Sequence, residues 1–536
     1  MRTLLTLLKL FIFQYFCYGQ MDNFILKTSD EEIKSKKEYI LAVQHTNNFS
    51  IILKSKFSLE IYNNEMKLQE NIALELPHKD LRFQDIFIVN GEIYLFMNRY
   101  NGKNNEHYLY ATILSKKRGV VNDIYQIEKI KMGDQLKKHQ QEKEKFEVSV
   151  TADSLAFLVR SSTKLMDYDK NAKRKFSFIS LDFELLDERT VVFPELEKHF
   201  FLSKTITDKK GNIFLASHRS FVENDKTIFK PEVFGRNKAF FYSLFFDENH
   251  ISTHEIQHST RSSFNISELK TKIDSHGNVR CMAFFSATYE YAAIGSYSFT
   301  MNTESREIED EKTFQFEDGL IDQFYTEEQI HERNEKRKED IYIWTNQLHN
   351  FIMHDLVMKN NGGYYLIAEQ IHPLKTSKED PHFTPRIGIP IKQNYSFNGL
   401  MIFSISKNNE LIEYSVIPKK QASKNHISYG QHYGVGIVMS LGNNDDLNIF
   451  FNDDKEYLDE KFNTSINDMF IEDQVFIRYT ITLDGRISKH PIIETDKHNI
   501  NIDPITSPKI QGNKLFLISR RNRYYYKPLT LEMMKE

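Results

Sequence analysis

The chain has 536 residues, of which 40% are hydrophobic, 13% aromatic and 27% charged, with a formal net charge of −4. A chain of that length can bury a large core, because the buried fraction of surface rises with size, and a balance this close to neutral, without a basic block, argues against nucleic acid as the main partner. Phe occurs 42 times and Tyr 27 times against 20 Gly and 12 Pro, a usage that fits stacked β-sheets rather than a low-complexity chain.

In chain order, Met1 to Gly19 reads as a cleaved secretory signal. Arg2 and Lys9 supply positive charge, Leu10 to Phe16 a short apolar stretch, and Cys17-Tyr18-Gly19 small residues at −3 and −1 before Gln20. The rival, a lipid anchor on Cys17, lacks the small residues expected at Gln14-Tyr15-Phe16. Removing Arg2 and Lys9 from 70 basic residues leaves 68 against 74 acidic ones, and Cys281 is then the one remaining cysteine. No intramolecular disulfide can form, so an exported chain must rely on its core. Nothing after Gly19 is apolar for long enough to cross a membrane as a helix. The expected location is the periplasm or cell surface.

From there one unit recurs: a short strand, a polar turn, then a β-rich strand. The cleanest copy is DLVMKNNGGYYLIAEQ, Asp355 to Gln370. Others are DIFIVNGEIYLFMNRY (from Asp85), KTITDKKGNIFLASHRS (from Lys204), KIDSHGNVRCMAFFS (from Lys272) and SPKIQGNKLFLISRR (from Ser507), with weaker copies around Asn47, Asp153 and Asn443. A second hairpin follows most of them, so each unit supplies about four antiparallel strands. The turn positions Asn47, Gly91, Asp153, Gly211, Gly277, Gly362, Asn443 and Gly512 are separated by 44, 62, 58, 66, 85, 81 and 69 residues. Solenoid coils recur at roughly 20 to 30 residues, whereas a four-stranded propeller blade takes ~40 to 50 or more. The expected fold is therefore all-β: one β-propeller over residues 20–536, of eight four-stranded blades with seven as the alternative. Phe24 to Lys27 is expected to lend the last blade its missing strand.

Two stretches break the pattern. Met132 to Lys145 is charged and reads as a solvated loop or helix. Residues 319–350 widen the spacing between Gly277 and Gly362 and favour one helical insertion, with Phe324, Ile330, Ile341 and Trp344 available to dock it.

Catalytic signatures weigh little. His254-Glu255-Ile256-Gln257-His258 matches the zinc-protease pattern H-E-x-x-H, but it ends a hairpin. Positions four apart on a strand are separated by ~13 Å, too far to share an ion. No metal site and no cofactor are expected. The Asp-rich stretches Asn443 to Asp446 and Asn452 to Asp454 lack the alternate spacing of a calcium loop and read as polar turns. No nucleophile elbow is present, and Trp344 is the one tryptophan. Tyr524-Tyr525-Tyr526 keeps a sugar-binding surface open.

From Phe351 onward the motifs NNGGYYLIAEQ (Asn360 to Gln370), SISKNNELIEYSVIPKKQ (Ser404 to Gln421), the pair Ser428-Tyr429, and NIFFNDD (Asn448 to Asp454) follow an order that resembles uncharacterised secreted bacterial proteins with β-propeller-like repeats. The resemblance covers about the C-terminal third and implies fold and export rather than a reaction. It draws attention to Glu369, Lys419, Gln421, Asn452 and Asp453 as binding residues, and Asn361 stands where such proteins often carry Asp before Gly-Gly. The expected role is a non-enzymatic binding or scaffold protein of the envelope, its partner an unidentified envelope protein or glycan. The alternative is a glycan hydrolase or lyase with its acids drawn from separate blades.

Overall fold

The computed structural model describes residues 20–21, 24–28, 33–34, 40–46, 48–76, 78–114, 123–131, 146–162, 171–196, 200–219, 238–245, 250–256, 265–266, 269–286, 292–325, 327–338, 348–349, 351–374, 393–426, 437–442, 444–454, 474–494, 502, 514–522 and 525–533. The signal segment, stretch 132–145, His258, Ile341, Trp344, and the turn residues Asn47, Asn443 and Gly512 lie outside them.

The repeated cue folds through a side chain that caps its own turn. Asp208 Oδ1 accepts the backbone N–H of Lys210 at 2.8 Å and of Asn212 at 2.9 Å, while Gly211 takes a φ of 81°. Asp274 does the same for His276 and Asn278, both at 2.9 Å. The carboxylate thus satisfies donors that the strand ladder cannot reach.

Among the described residues, seven sheets are each folded from one continuous run of chain: residues 40–73, 82–131, 146–196, 200–256, 265–315, 351–426 and 438–494, numbered here blades 1 to 7. Each is antiparallel, four strands across, with strands in sequence order; in blades 4, 5 and 6 the first strand is broken into two short pieces. A further sheet joins the two ends of the chain. Lys514–Asn522 pairs with Tyr525–Met533, and Phe24–Thr28 adds to the latter in a register running from Phe24 opposite Met533 to Thr28 opposite Leu529. The expected eight blades are thereby corrected to the alternative of seven. The unit counted at Gly512 makes no blade from its own run, because it contributes two strands and a bridge at Ile502 and borrows the rest from residues 20–34.

Apolar cores fill the seams between neighbouring sheets. Tyr364, Leu366 and Ala368 pack with Met282 and Phe284 of blade 5, whereas Tyr365 and Ile367, one residue out of phase, pack with Leu447, Ile449 and Phe451 of blade 7. A second strand buried on both faces explains the unbroken apolar run YYLIA. Each large side chain so buried contributes about 1.5–3 kcal/mol. Fourth strands such as Ile308–Gln315 are mostly exposed and charged, which protects the outer edges. The end-joining sheet packs Leu515 and Leu517 on Phe450 and Phe476 of blade 7, and Phe516 and Ile518 on Ile52 and Tyr62 of blade 1. It therefore closes the ring.

The insertion differs from one docked helix. A short helix α1 (Asp318–Asp322) precedes α2 (Glu327–Lys338). Docking is done by Leu320 and Ile321 of α1 and by Phe324, whose ring meets Phe351 edge-on at 5.0 Å. Ile330 is half-buried and its described α2 neighbours are exposed, since EEQIHERNEKRK offers no second apolar position for a stripe. Among the described residues, no helix is long and apolar enough to cross a membrane.

Candidate functional site

Three strands run on past the points where their apolar pattern stops. Pairing continues through Tyr364–Leu374, Leu411–His426 and Leu447–Asp454, so Glu369 and Gln421 lie inside strands, and Asn452 to Asp454 complete a strand rather than form the expected turn. The ladder persists because backbone pairing needs no apolar side chain, as His372 opposite Ser396 and Asn398 opposite Lys420 show.

This extension places Glu369, Lys419, Gln421 and Asp453 in the seam between blades 6 and 7, and all five residues, Asn452 included, are buried. Tyr365, Ile367 and Glu369 share one face of their strand, and Ile417, Lys419 and Gln421 share the same face two strands away. Lys419 lies across the intervening strand and puts its Nζ on Glu369 Oε1 in an ion pair. His354 Nε2 meets the other carboxylate oxygen, Oε2, at 3.1 Å. Phe451 of blade 7 lies beneath the ammonium at 5.6 Å. Asp453, on the same face as Phe451, adds its negative charge from the far side.

Burial works against the Glu369 carboxylate, yet the charge of Lys419 and the hydrogen bond and charge of His354 outweigh it and bring the pKa down to about 2. Burial also lowers Lys419, offset in part by Glu369 and Asp453. The carboxylate thus receives the Lys419 ammonium on one oxygen and the His354 imidazole on the other.

Gln421 crosses the seam, its Nε2 donating to the backbone carbonyl of Asn452 at 2.5 Å. Asn452 itself, adjacent to Asp453 and so on the opposite strand face, turns away from the cluster and donates from Nδ2 to the Ile502 carbonyl at 2.6 Å. The structure therefore brings together Glu369, Lys419, Gln421 and Asp453, while the Asn452 side chain serves the neighbouring seam.

His354 was not singled out by sequence, and Asp445 was read only as part of the polar turn Asn443 to Asp446. His354 sits in the break between two pieces of a first strand, where nothing in the local pattern marks a ligand. Asp445 has a legible signal. Blades 4 and 5 begin the turn with Asp208 and Asp274, but blade 6 has Lys359 there, and the missing carboxylate arrives from blade 7. Asp445 Oδ1 accepts the Asn360 N–H at 2.7 Å and Oδ2 the Asn361 N–H at 3.3 Å. Lys359 is buried, donates to Ser404 Oγ at 2.7 Å and stands 4.1 Å from the Tyr365 ring; burial lowers its pKa to about 8.

Elsewhere, His254 lies on the strand His250–Ile256 with its ring edge-on to Phe299 at 5.2 Å. Among the described residues, no group of three or more His, Cys, Asp or Glu is placed to hold a metal ion. Tyr526, read as exposed, is instead buried, with its hydroxyl donating to Glu60 across the blade 1 seam, because strand Tyr525–Met533 is covered on that face by blade 1.

No protein-family model matches the sequence, and no curated protein matches it. Solved structures to which the chain is similar include the WD40 domain of SCAP from fission yeast, at 9% identity over 96% of this chain and 99% of that one, with a TM-score of 0.41. BamB from Moraxella catarrhalis is similar at 7% identity over 93% and 99%, TM-score 0.38. The β-propeller domain of the Trilobed protease from Pyrococcus furiosus gives 11% over 86% and 98%, TM-score 0.35.

Proposed function

We propose that this protein is a non-enzymatic binding or scaffold protein of the cell envelope, exported after cleavage behind Gly19 and folded as one propeller over residues 20–536 with an insertion at 319–350. One observation carries the reading: polar side chains at the seams are used to bolt sheets together. Besides the Glu369 and Asp445 links, Arg160 donates to the Ser203 carbonyl and Glu147 accepts from the Thr205 backbone N–H, both at 2.8 Å between blades 3 and 4. Lys272 donates to the Leu356 carbonyl at 2.7 Å, and Arg280 to the Lys407 carbonyl, between blades 5 and 6. Such bolts cost desolvation that apolar packing would not, and they return a fixed geometry. A rigid ring presents a broad, preorganised surface, which lowers the entropic cost of binding. In this reading Glu369, Lys419, Gln421, Asn452 and Asp453 are positioning residues that hold the binding surface in shape.

The test is affinity capture from envelope extract, reconstitution of any captured protein with purified full-length chain, and incubation of the chain with a glycan panel. A reconstituted complex, or a glycan bound and recovered intact, supports the reading. Release of shorter sugars by the wild-type chain overturns it in favour of a hydrolase or lyase.

A further inference from the structure

Blade 2 carries an arrangement that the seam bolts do not use. On its third strand, Glu106–Leu114, the residues Glu106, Tyr108 and Tyr110 alternate onto one face. The rings of Tyr108 and Tyr110 lie nearly parallel, 21° apart with centroids at 6.0 Å, and both are half-buried rather than enclosed. Tyr110 rests on the core between blades 1 and 2, so the two rings stand where that seam opens to solvent. The ring of His78, from the chain linking the two blades, closes one end at 6.1 Å from Tyr110.

Polar groups around the rings are held in place by one another. The Tyr108 hydroxyl donates to Glu106, whose other oxygen pairs with Lys129 at 2.8 Å, and the Lys129 ammonium stands 5.6 Å from the Tyr108 ring. Arg99 Nε reaches both oxygens of Asp80, at 3.0 and 2.8 Å, with the Tyr110 hydroxyl also in hydrogen-bonding reach of the guanidinium. Three of these groups remain open to solvent, the Asp80 side chain 54% exposed, Lys129 47% and Arg99 25%, while Glu106 is buried beneath them.

We infer that this face of blade 2 is a binding platform for a neutral oligosaccharide, stacked on Tyr108 and Tyr110 and hydrogen-bonded by Asp80, Arg99 and Lys129, with Glu106 holding Tyr108 and Lys129 in place. Three features select that ligand. Paired aromatic faces suit the C–H faces of sugar rings, which lose little by leaving water. Planar carboxylate and guanidinium groups, already fixed, match vicinal hydroxyls without paying to order themselves. The two acids and two bases cancel, so the site offers no net field to a strongly charged ligand. The inference rests on the binding reading of the propeller and names a ligand class and a site for it.

The experiment titrates the full-length chain with maltohexaose, cellohexaose, chitohexaose and hexagalacturonate by calorimetry up to ~10 mM, beyond the millimolar range of weak sites. One neutral hexasaccharide is expected to bind. Tyr108→Ala and Tyr110→Ala should each weaken it about tenfold or more, while Tyr110→Phe, which keeps the ring, retains most of the affinity. Thermal melts of the variants verify the fold. Binding by none of the neutral sugars, tighter binding of hexagalacturonate, or binding indifferent to both alanine variants each overturns the platform. Cleavage of a sugar that still requires Tyr108 and Tyr110 leaves the platform standing and removes the non-enzymatic reading instead.

Discussion

Lys419 and Glu369 stand two strands apart in blade 6, fifty residues apart in sequence, and still form an ion pair sealed from water. Breaking such a pair from one side leaves a buried charge without its partner, which costs about 3–5 kcal/mol. Lys419→Met is therefore expected to lower unfolding stability by that order, and Glu369→Gln, which keeps a hydrogen-bond acceptor for His354, by less. The double variant Lys419→Met, Glu369→Leu should recover part of the loss. Urea unfolding of the three variants measures it, and additive losses would mean that the two residues do not act as a pair.

The same site sets a pH dependence. Glu369 ionises in the folded chain near a pKa of about 2, below its ordinary value of 4.5. Its contribution is thus complete above 4.5 and is lost as pH falls from there toward 2. His45 acts in a higher window. Stacked on Phe516 at 5.6 Å and bonded through Nδ1 to Ser50 Oγ at 2.7 Å, it is lowered to about 4, mainly by burial and also by the Lys514 charge. The folded state then binds fewer protons than the unfolded one between pH 6.5 and 4, so stability declines as pH falls through that range. In His45→Phe the decline from 6.5 to 4 should be shallower, by up to about 1.4 kcal/mol per pH unit at its steepest. Equal slopes in wild type and variant would rule the assignment out.

These two windows also show where sequence reading succeeded and where it stopped. The turn cue of Asp208-x-x-Gly211-Asn212 is local, so hairpins and their repetition were legible, as was the loan of Phe24 to Lys27 to the last sheet. Blade number was harder, because a turn at the chain's end looks like any other although its sheet is shared. The polar residues were found, but their place inside the sheets was not, since Gln370-Ile371-His372 and Lys419-Lys420-Gln421 interrupt the apolar alternation. Backbone pairing ignores that interruption, and the extra length carries Glu369 and Gln421 into the seam. Asp445 and Asn360 belong to different blades, and no local rule couples residues 85 apart.

That coupling gives a third test. In Asp445→Ala the N–H groups of Asn360 and Asn361 lose their shared acceptor, at a cost of about 1–2 kcal/mol, similar to the loss of a helix cap. Asp445→Asn should retain roughly half, since one acceptor oxygen remains. Amide exchange at Asn360 and Asn361 is the direct readout: protection unchanged in the alanine variant would show that the link does not hold the turn.

Close packing makes a sharper claim at Gly295. A Cβ there would lie 2.3 Å from the Phe285 ring and 2.4 Å from the Phe314 carbonyl oxygen, and the latter is backbone in the neighbouring strand and cannot swing aside. Gly295→Ala is expected to cost about 1–3 kcal/mol through overpacking. Gly319→Ala, inside α1 with nothing within 4 Å of the added atom, is the control and should be neutral or stabilising by up to ~1 kcal/mol. Similar melting temperatures for the two variants would contradict the packing at Gly295.

Ring closure depends on one short strand. Phe24–Thr28 is joined to the rest of the propeller by its ladder with Tyr525–Met533, and that pairing ties the start of the chain to its end. A chain lacking residues 20–34 leaves the strand Tyr525–Met533 with an open edge on one side, while its other side keeps the ladder to Lys514–Asn522. Unpaired edges exchange their amide protons and recruit other strands. The truncated protein should therefore keep its core but lose protection along Tyr525–Met533, and it should associate more readily at high concentration. Adding back a synthetic peptide of residues 20–34 in trans should restore protection, since the strand contributes by pairing rather than by its covalent link. Exchange along Tyr525–Met533 that is the same with and without residues 20–34 would show that the ring is closed by the packing of Leu515 to Ile518 on blades 1 and 7, with the borrowed strand as an ornament.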